Sequence, residues 1–252
     1  MKNRKKALRV LSVFIFSLGV LLGIALIGGL SWPNLEAAFY FGGVKLAEES
    51  FKTLQCPQVI TSSEVGNVTA TLTNRHAKSI DPLIRVEVSE SDVMTRKVEM
   101  RPVIDPGTTE QVKWTITSDD MVFGSAILVK AFQLPTYKTP SREGTCGTLV
   151  VDLPFLSGSQ VLGLAALICL LCLGGGITLM LAIQPPTRDN PLRASNAMLC
   201  LSGIILVGSI LSYLGMWVFG LLTLVVAVLL IFILVMNIVK SYWQTETVFV
   251  AA

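Results

Sequence analysis

Two kinds of hydrophobic pattern divide the chain. Residues 10–31, 157–183, 194–214 and 218–239 are continuous apolar runs that contain no charged side chain. Crossing roughly 30 Å of hydrocarbon takes about 20 residues of helix, so each run predicts a membrane span. Between the first and second runs, apolar residues alternate with polar ones instead, which is the period of a strand with one wet face. Val68, Ala70 and Leu72 oppose three threonines, Ile84, Val86 and Val88 oppose Arg85 and Glu87, and Val112, Trp114 and Ile116 oppose Lys113 and Thr115.

Turn-forming residues punctuate this middle region at 74–82, at Asp105-Pro106-Gly107 and at the Ser-Asp-Asp of 118–120. They separate seven predicted strands near 56–61, 65–74, 82–89, 93–101, 109–117, 122–134 and 146–153. About 100 residues with turns at this spacing predict an antiparallel β-sandwich of immunoglobulin-like type over 56–154. The expected fold class is therefore an α+β membrane protein, with four transmembrane helices and an extracytoplasmic immunoglobulin-like antiparallel β-sandwich inserted between helices 1 and 2. On strand pattern alone, the middle region resembles the broad immunoglobulin-like group of prokaryotic surface modules.

Composition and charge placement give that scheme a direction. The chain is 52% hydrophobic and 15% charged, against about a quarter charged in ordinary soluble domains. Short loops rich in Lys and Arg stay cytoplasmic, and residues 1–9 carry Lys2, Arg4, Lys5, Lys6 and Arg9 with no acid. The N-terminus is thus expected inside, with 10–31 a retained signal anchor and 32–156 exported. The loop 184–193, with Arg188 and Arg193, returns to the cytoplasm, and Lys240 keeps the tail 240–252 there. A cleaved signal peptide fits less well, because its apolar core spans about 7 to 15 residues and ends on small ones. The exported stretch holds 12 basic and 15 acidic residues, a net of −3 and opposite in sign to the N-terminus.

Of the five cysteines only Cys56 and Cys146 fall in the exported stretch, where disulfides form and persist. They open the first and last predicted strands, which in such a sandwich can run parallel side by side, so a bridge between them is expected. Seven traverses put the start of the domain and its exit at opposite ends. The exit leads directly into the second span, so the start is membrane-distal, and residues 32–55 form a juxtamembrane connector that climbs to it. As helix that connector reaches about 36 Å, and its Trp32, Phe39, Tyr40 and Phe41 suit the headgroup zone. The same parity puts the loops 75–81 and 135–145 at the distal end, beside the disulfide. Loops on a rigid scaffold often carry binding, which makes His76, Lys78, Tyr137, Lys138 and Arg142 the candidate recognition residues.

No catalytic, cofactor or metal site is expected. His76 is the sole histidine, so no Ser-His-Asp or Cys-His pair can assemble. Asp119 and Asp120 read as turn chemistry, and the chain has no phosphate-binding glycine loop. Cys169 and Cys172 have C-x-x-C spacing but sit mid-span, where a thiolate has neither water nor a cationic neighbour, so they read as packing. No ionisable residue within a span marks a transport path. Gly19-x-x-x-Gly23, Ser159-x-x-x-Gly163 and Gly208-x-x-x-Ser212 predict close helix contacts, and the glycines at 174–176 mark either a flexible or a closely packed helix segment. The expected partners are the lipid bilayer and a protein, not nucleic acid. The expected function is a non-enzymatic membrane protein that displays its middle domain for recognition or membrane-complex assembly. The alternative is an accessory subunit of a transporter or secretion system that docks through its helix bundle.

Overall fold

The structure, a computed structural model, describes residues 2–42, 47–90, 94–135, 139–183 and 191–250. Two units make up the chain: Met1–Gly28 together with Ala165–Ala252, and Gly29–Leu164.

The apolar runs are helices α1 (Lys2–Tyr40), α2 (Gly158–Ile183), α3 (Pro191–Tyr213) and α4 (Trp217–Val250). Each contains a stretch long and apolar enough to cross a membrane: Ala7–Tyr40, Gly158–Ala182, Asn196–Tyr213 and Trp217–Met236. Large apolar side chains such as Leu171, Leu222 and Phe232 are exposed around them, as befits helices whose solvent is hydrocarbon and consistent with a membrane protein.

Within the helical unit, Phe16, Val20, Cys169, Leu173, Leu201, Ile205 and Ala227 form the buried cluster. Small residues let the backbones approach. A Cβ on Gly19 would stand 2.9 Å from the Cβ of Cys172, one on Gly176 2.7 Å from that of Phe16, and one on Gly23 would run into Ile205. Gly163, Gly174 and Gly175 face open space, so only part of the predicted small-residue pattern is used in packing. The Sγ of Cys169 donates to the Gly19 carbonyl at 3.3 Å. The C-x-x-C spacing thus serves helix contacts, with Cys169 against Gly19 and Cys172 beside it. Gly215, at φ 77°, closes α3 in the left-handed conformation and leads into α4.

Among the described residues the second unit holds nine strands: β1 (Glu49–Ser50), β2 (Leu54–Gln55), β3 (Val59–Thr61), β4 (Gly66–Thr73), β5 (Ile84–Ser89), β6 (Thr95–Met100), β7 (Thr109–Ile116), β8 (Ala126–Gln133) and β9 (Arg142–Val151). They form a mixed sheet in the order β1-β9-β8-β5-β6, with β3 also beside β9, and an antiparallel sheet in the order β2-β4-β7. One buried cluster draws on both sheets. It includes Val68, Ala70, Leu72, Val112, Trp114 and Ile116 from the smaller sheet and Ile84, Val86, Val88, Ile127, Val129 and Ala131 from the larger. The alternation in the sequence thus marks true inward faces.

The structure departs from the expected strands at three places. The first strand expected over 56–61 is the short β3, and the expected connector 32–55 contributes two further short strands, β1 and β2; β1 and β3 run parallel to β9 while β2 pairs antiparallel with β4. Pro57, between β2 and β3, has no N–H to give a ladder. Next, β9 starts at Arg142, so Cys146 sits within the strand opposite Val129 rather than at its beginning. The disulfide itself is present, joining Cys56 to Cys146 across 90 residues with Cα atoms 5.9 Å apart.

The third departure concerns α1, which does not stop after its apolar run but continues through Pro33 to Tyr40. Ala37 of this extension is buried with Val122, Ala126 and Leu128, with Tyr40 and Phe41 alongside. A Cβ on Gly147 would meet the Pro33 carbonyl. The larger sheet is therefore covered on both faces here. This is why Ala126, Ile127, Leu128 and Val129 are buried in succession, without alternation.

Candidate ligand-binding groove

Strand β8 places Ile127, Val129 and Ala131 in the core, and the period of two puts Gln133 at the next inward position. A polar side chain thus occupies the end of an apolar row. Gln133 is 2% exposed, and its Oε1 has no hydrogen-bond partner among the described residues. A buried amide oxygen left unpaired costs about 1 to 3 kcal/mol.

Gln133 is among the residues that line a cavity of about 850 Å³, within the roughly 300 to 1,000 Å³ of small-ligand sites. Phe51, Leu72, Ile80 and Ile104 give it an apolar floor and sit at the edge of the core. Its polar rim comes from three segments: Glu49 to Thr53 on and after β1, Thr71 to His76 at the end of β4, and Thr139 to Arg142 leading into β9.

Asn74 holds the second of these segments. Fully buried, its Nδ2 donates to the carbonyls of Lys78 and Ile104, both at 2.9 Å, and its Oδ1 accepts the main-chain N–H of His76 at 2.9 Å. The loop is thereby tied to the turn at 105–107, where Gly107 adopts φ 71° and donates to the Asn74 carbonyl. On the opposite rim, Arg142 Nε donates to Glu49 Oε2 at 2.9 Å and stitches β1 to β9. Thr53 Oγ1 donates to the Thr71 carbonyl at 2.6 Å and draws the first two segments together.

The rim is cationic. Lys52, Arg75 and Arg142 stand against Glu49 alone, with His76 beside them. Arg142 is paired with Glu49, whereas Lys52 and Arg75 are exposed and form no ion pair among the described residues.

Of the residues singled out by sequence, His76 and Arg142 line the groove together. Lys78 is exposed beyond the lining and contributes its carbonyl to the Asn74 bond. Tyr137 and Lys138 lie outside the described residues. The described parts of the loops 75–81 and 135–145 line this groove together, beside β1. Sequence pattern did not point to Gln133, Asn74, Lys52 or Arg75. For Gln133 the signal was present, as a glutamine at inward parity after Ile127, Val129 and Ala131.

No family model matches the chain, and no curated protein does. Solved structures resemble parts of it. A cycloisomaltooligosaccharide glucanotransferase from Paenibacillus sp. is 16% identical over 43% of this chain and 15% of its own length, with a TM-score of 0.35. The CARDB domain of a Pyrococcus furiosus protein, in complex with di-metal ions, is 11% identical over 40% of this chain and 90% of its own, at 0.29. A superoxide reductase from Ignicoccus hospitalis is 16% identical over 39% and 78%, also at 0.29. Likeness at this level carries no argument about activity.

Proposed function

We propose that this chain is a multi-pass cell-membrane protein with both termini in the cytoplasm. Its β unit is an immunoglobulin-like sandwich displayed outside for recognition. The groove is the observation that carries this reading: a concave site of ligand size, whose rim cations Lys52 and Arg75 have no counter-ion among the described residues. Charge placement in the short loops supports the orientation, and a Cys56–Cys146 bridge belongs to an oxidising compartment. Two sheets around one core, with β3 parallel to β9, support the immunoglobulin-like assignment.

A second reading, an accessory subunit docking through its bundle, is favoured by an apolar hollow of about 340 Å³. Cys200, Gly203, Val207, Leu222 and Val226 of α3 and α4 line it. Photo-crosslinking in intact cells separates the two. A crosslinker replacing His76 should give a discrete adduct that disappears in Arg75→Glu. Adducts only from a crosslinker at Val207 would replace recognition by docking through the bundle.

A further inference from the structure

Resting on the recognition reading, we propose that the groove takes an extended acidic peptide. Lys52 and Arg75 receive its carboxylates, and the main-chain N–H of Ser50 donates to a main-chain carbonyl.

The strand edge supplies the peptide-like part of the site. In the parallel β1–β9 pair, the N–H groups of Glu49 and Phe51 donate to the carbonyls of Ser141 and Glu143, at 3.1 and 2.8 Å. Alternate residues of such a pair turn their N–H groups to opposite sides. Ser50 therefore turns its N–H away from β9, toward an edge that no described strand covers, and Ser50 lines the groove. Its carbonyl is already taken by the N–H of Lys52 at 3.0 Å, so the edge offers a donor. A peptide unit carries one acceptor and one donor, and extended segments add to open strand edges in this way.

The rim selects the side chains. Arg142 is matched by Glu49, but Lys52 and Arg75 have no counter-ion among the described residues. Carboxylates placed there would form charge-assisted bonds, and their attraction would weaken as salt is added.

The test uses the full-length oxidised protein in detergent and fluorescence anisotropy of two labelled peptides, Ser-Glu-Ser-Glu-Ser-Glu and Ser-Gln-Ser-Gln-Ser-Gln. The acidic peptide should bind at least tenfold tighter, and most of that advantage should vanish in Lys52→Ala with Arg75→Ala. Both residues are exposed, so this variant should keep its disulfide and melting temperature. Ser50→Pro, which removes the main-chain donor of the edge, should weaken both peptides at least fivefold. Equal binding of the two peptides would overturn the acidic selectivity and leave recognition standing. Acidic binding indifferent to all these variants would remove the groove as the site. Absence of binding by either peptide would overturn the peptide assignment, with the crosslink from position 76 then judging the recognition reading separately.

Discussion

The side-chain oxygen of Asn34 accepts the main-chain N–H of Gly147 at 3.2 Å. On this edge of β9, β1 covers Arg142 and Glu143 and β3 covers residues from Leu149 onward. Gly147 falls in the gap between them, and a buried N–H there needs another acceptor. Asn34 supplies it from α1, and its own Nδ2 donates to the Leu30 carbonyl at 3.1 Å. Asn34→Ala should orphan the Gly147 donor and lower stability by about 1 to 3 kcal/mol. Gly147→Ala should cost about as much, because the Pro33 carbonyl it would strike is main chain and cannot rotate aside. Urea unfolding followed by tryptophan fluorescence measures both, and midpoints equal to wild type would contradict this packing.

Cys56 and Cys146 close a loop of 90 residues. In the chain-entropy model such a bridge stabilises by about 4 to 5 kcal/mol, an upper value. The double Cys→Ala variant should therefore unfold at markedly lower urea and be cleaved by protease within 56–146. Unchanged protease resistance would show that the two-sheet core stands without its bridge.

Asp120 is buried at the 3₁₀ turn Ser118–Asp120. Its carboxylate accepts the Thr117 N–H at 3.0 Å and two bonds from Arg96 at 3.0 and 3.1 Å. The Asp120 carbonyl accepts Ser89 Oγ, which in turn accepts the Leu128 N–H. Asp120→Ala should cost about 2 to 3 kcal/mol, since hydrogen bonds to a charged group are lost and donors are left behind. Asp119→Ala, outside this network of bonds, should cost under about 0.5 kcal/mol.

The glycines of α1 and α2 divide into two groups. Gly19→Ala and Gly176→Ala put a Cβ within 3 Å of a neighbouring helix and should lower the thermal stability of the detergent-solubilised protein. Gly163→Ala and Gly174→Ala meet nothing within 4 Å and should leave it unchanged. The same melting temperature for all four would refute the assigned helix contacts.

The parts of this fold that announce themselves in sequence are those with a period. Runs such as 218–239 can only be long apolar helices, and Val68-Thr69-Ala70-Thr71-Leu72 can hardly be anything but a strand with one buried face. The disulfide followed from cysteine placement. What could not be read was decided by a second layer. The extension of α1 past Pro33 depends on packing against a sheet built more than ninety residues later. The short strands β1 and β2 within the expected connector depend on which sheet each piece joins. The groove depends on loops brought together by Asn74, whose buried amide looks in sequence like any turn residue.

The central claim is that the β unit lies in an oxidising space outside the membrane while the chain ends stay within. Thiol labelling of intact cells with an impermeant maleimide tests it most directly. Labelling at Cys56 and Cys146 should be absent before reduction and should appear after an impermeant reductant is added to unbroken cells. If both thiols instead react without reductant, and only once the cells are lysed, the proposed topology is wrong.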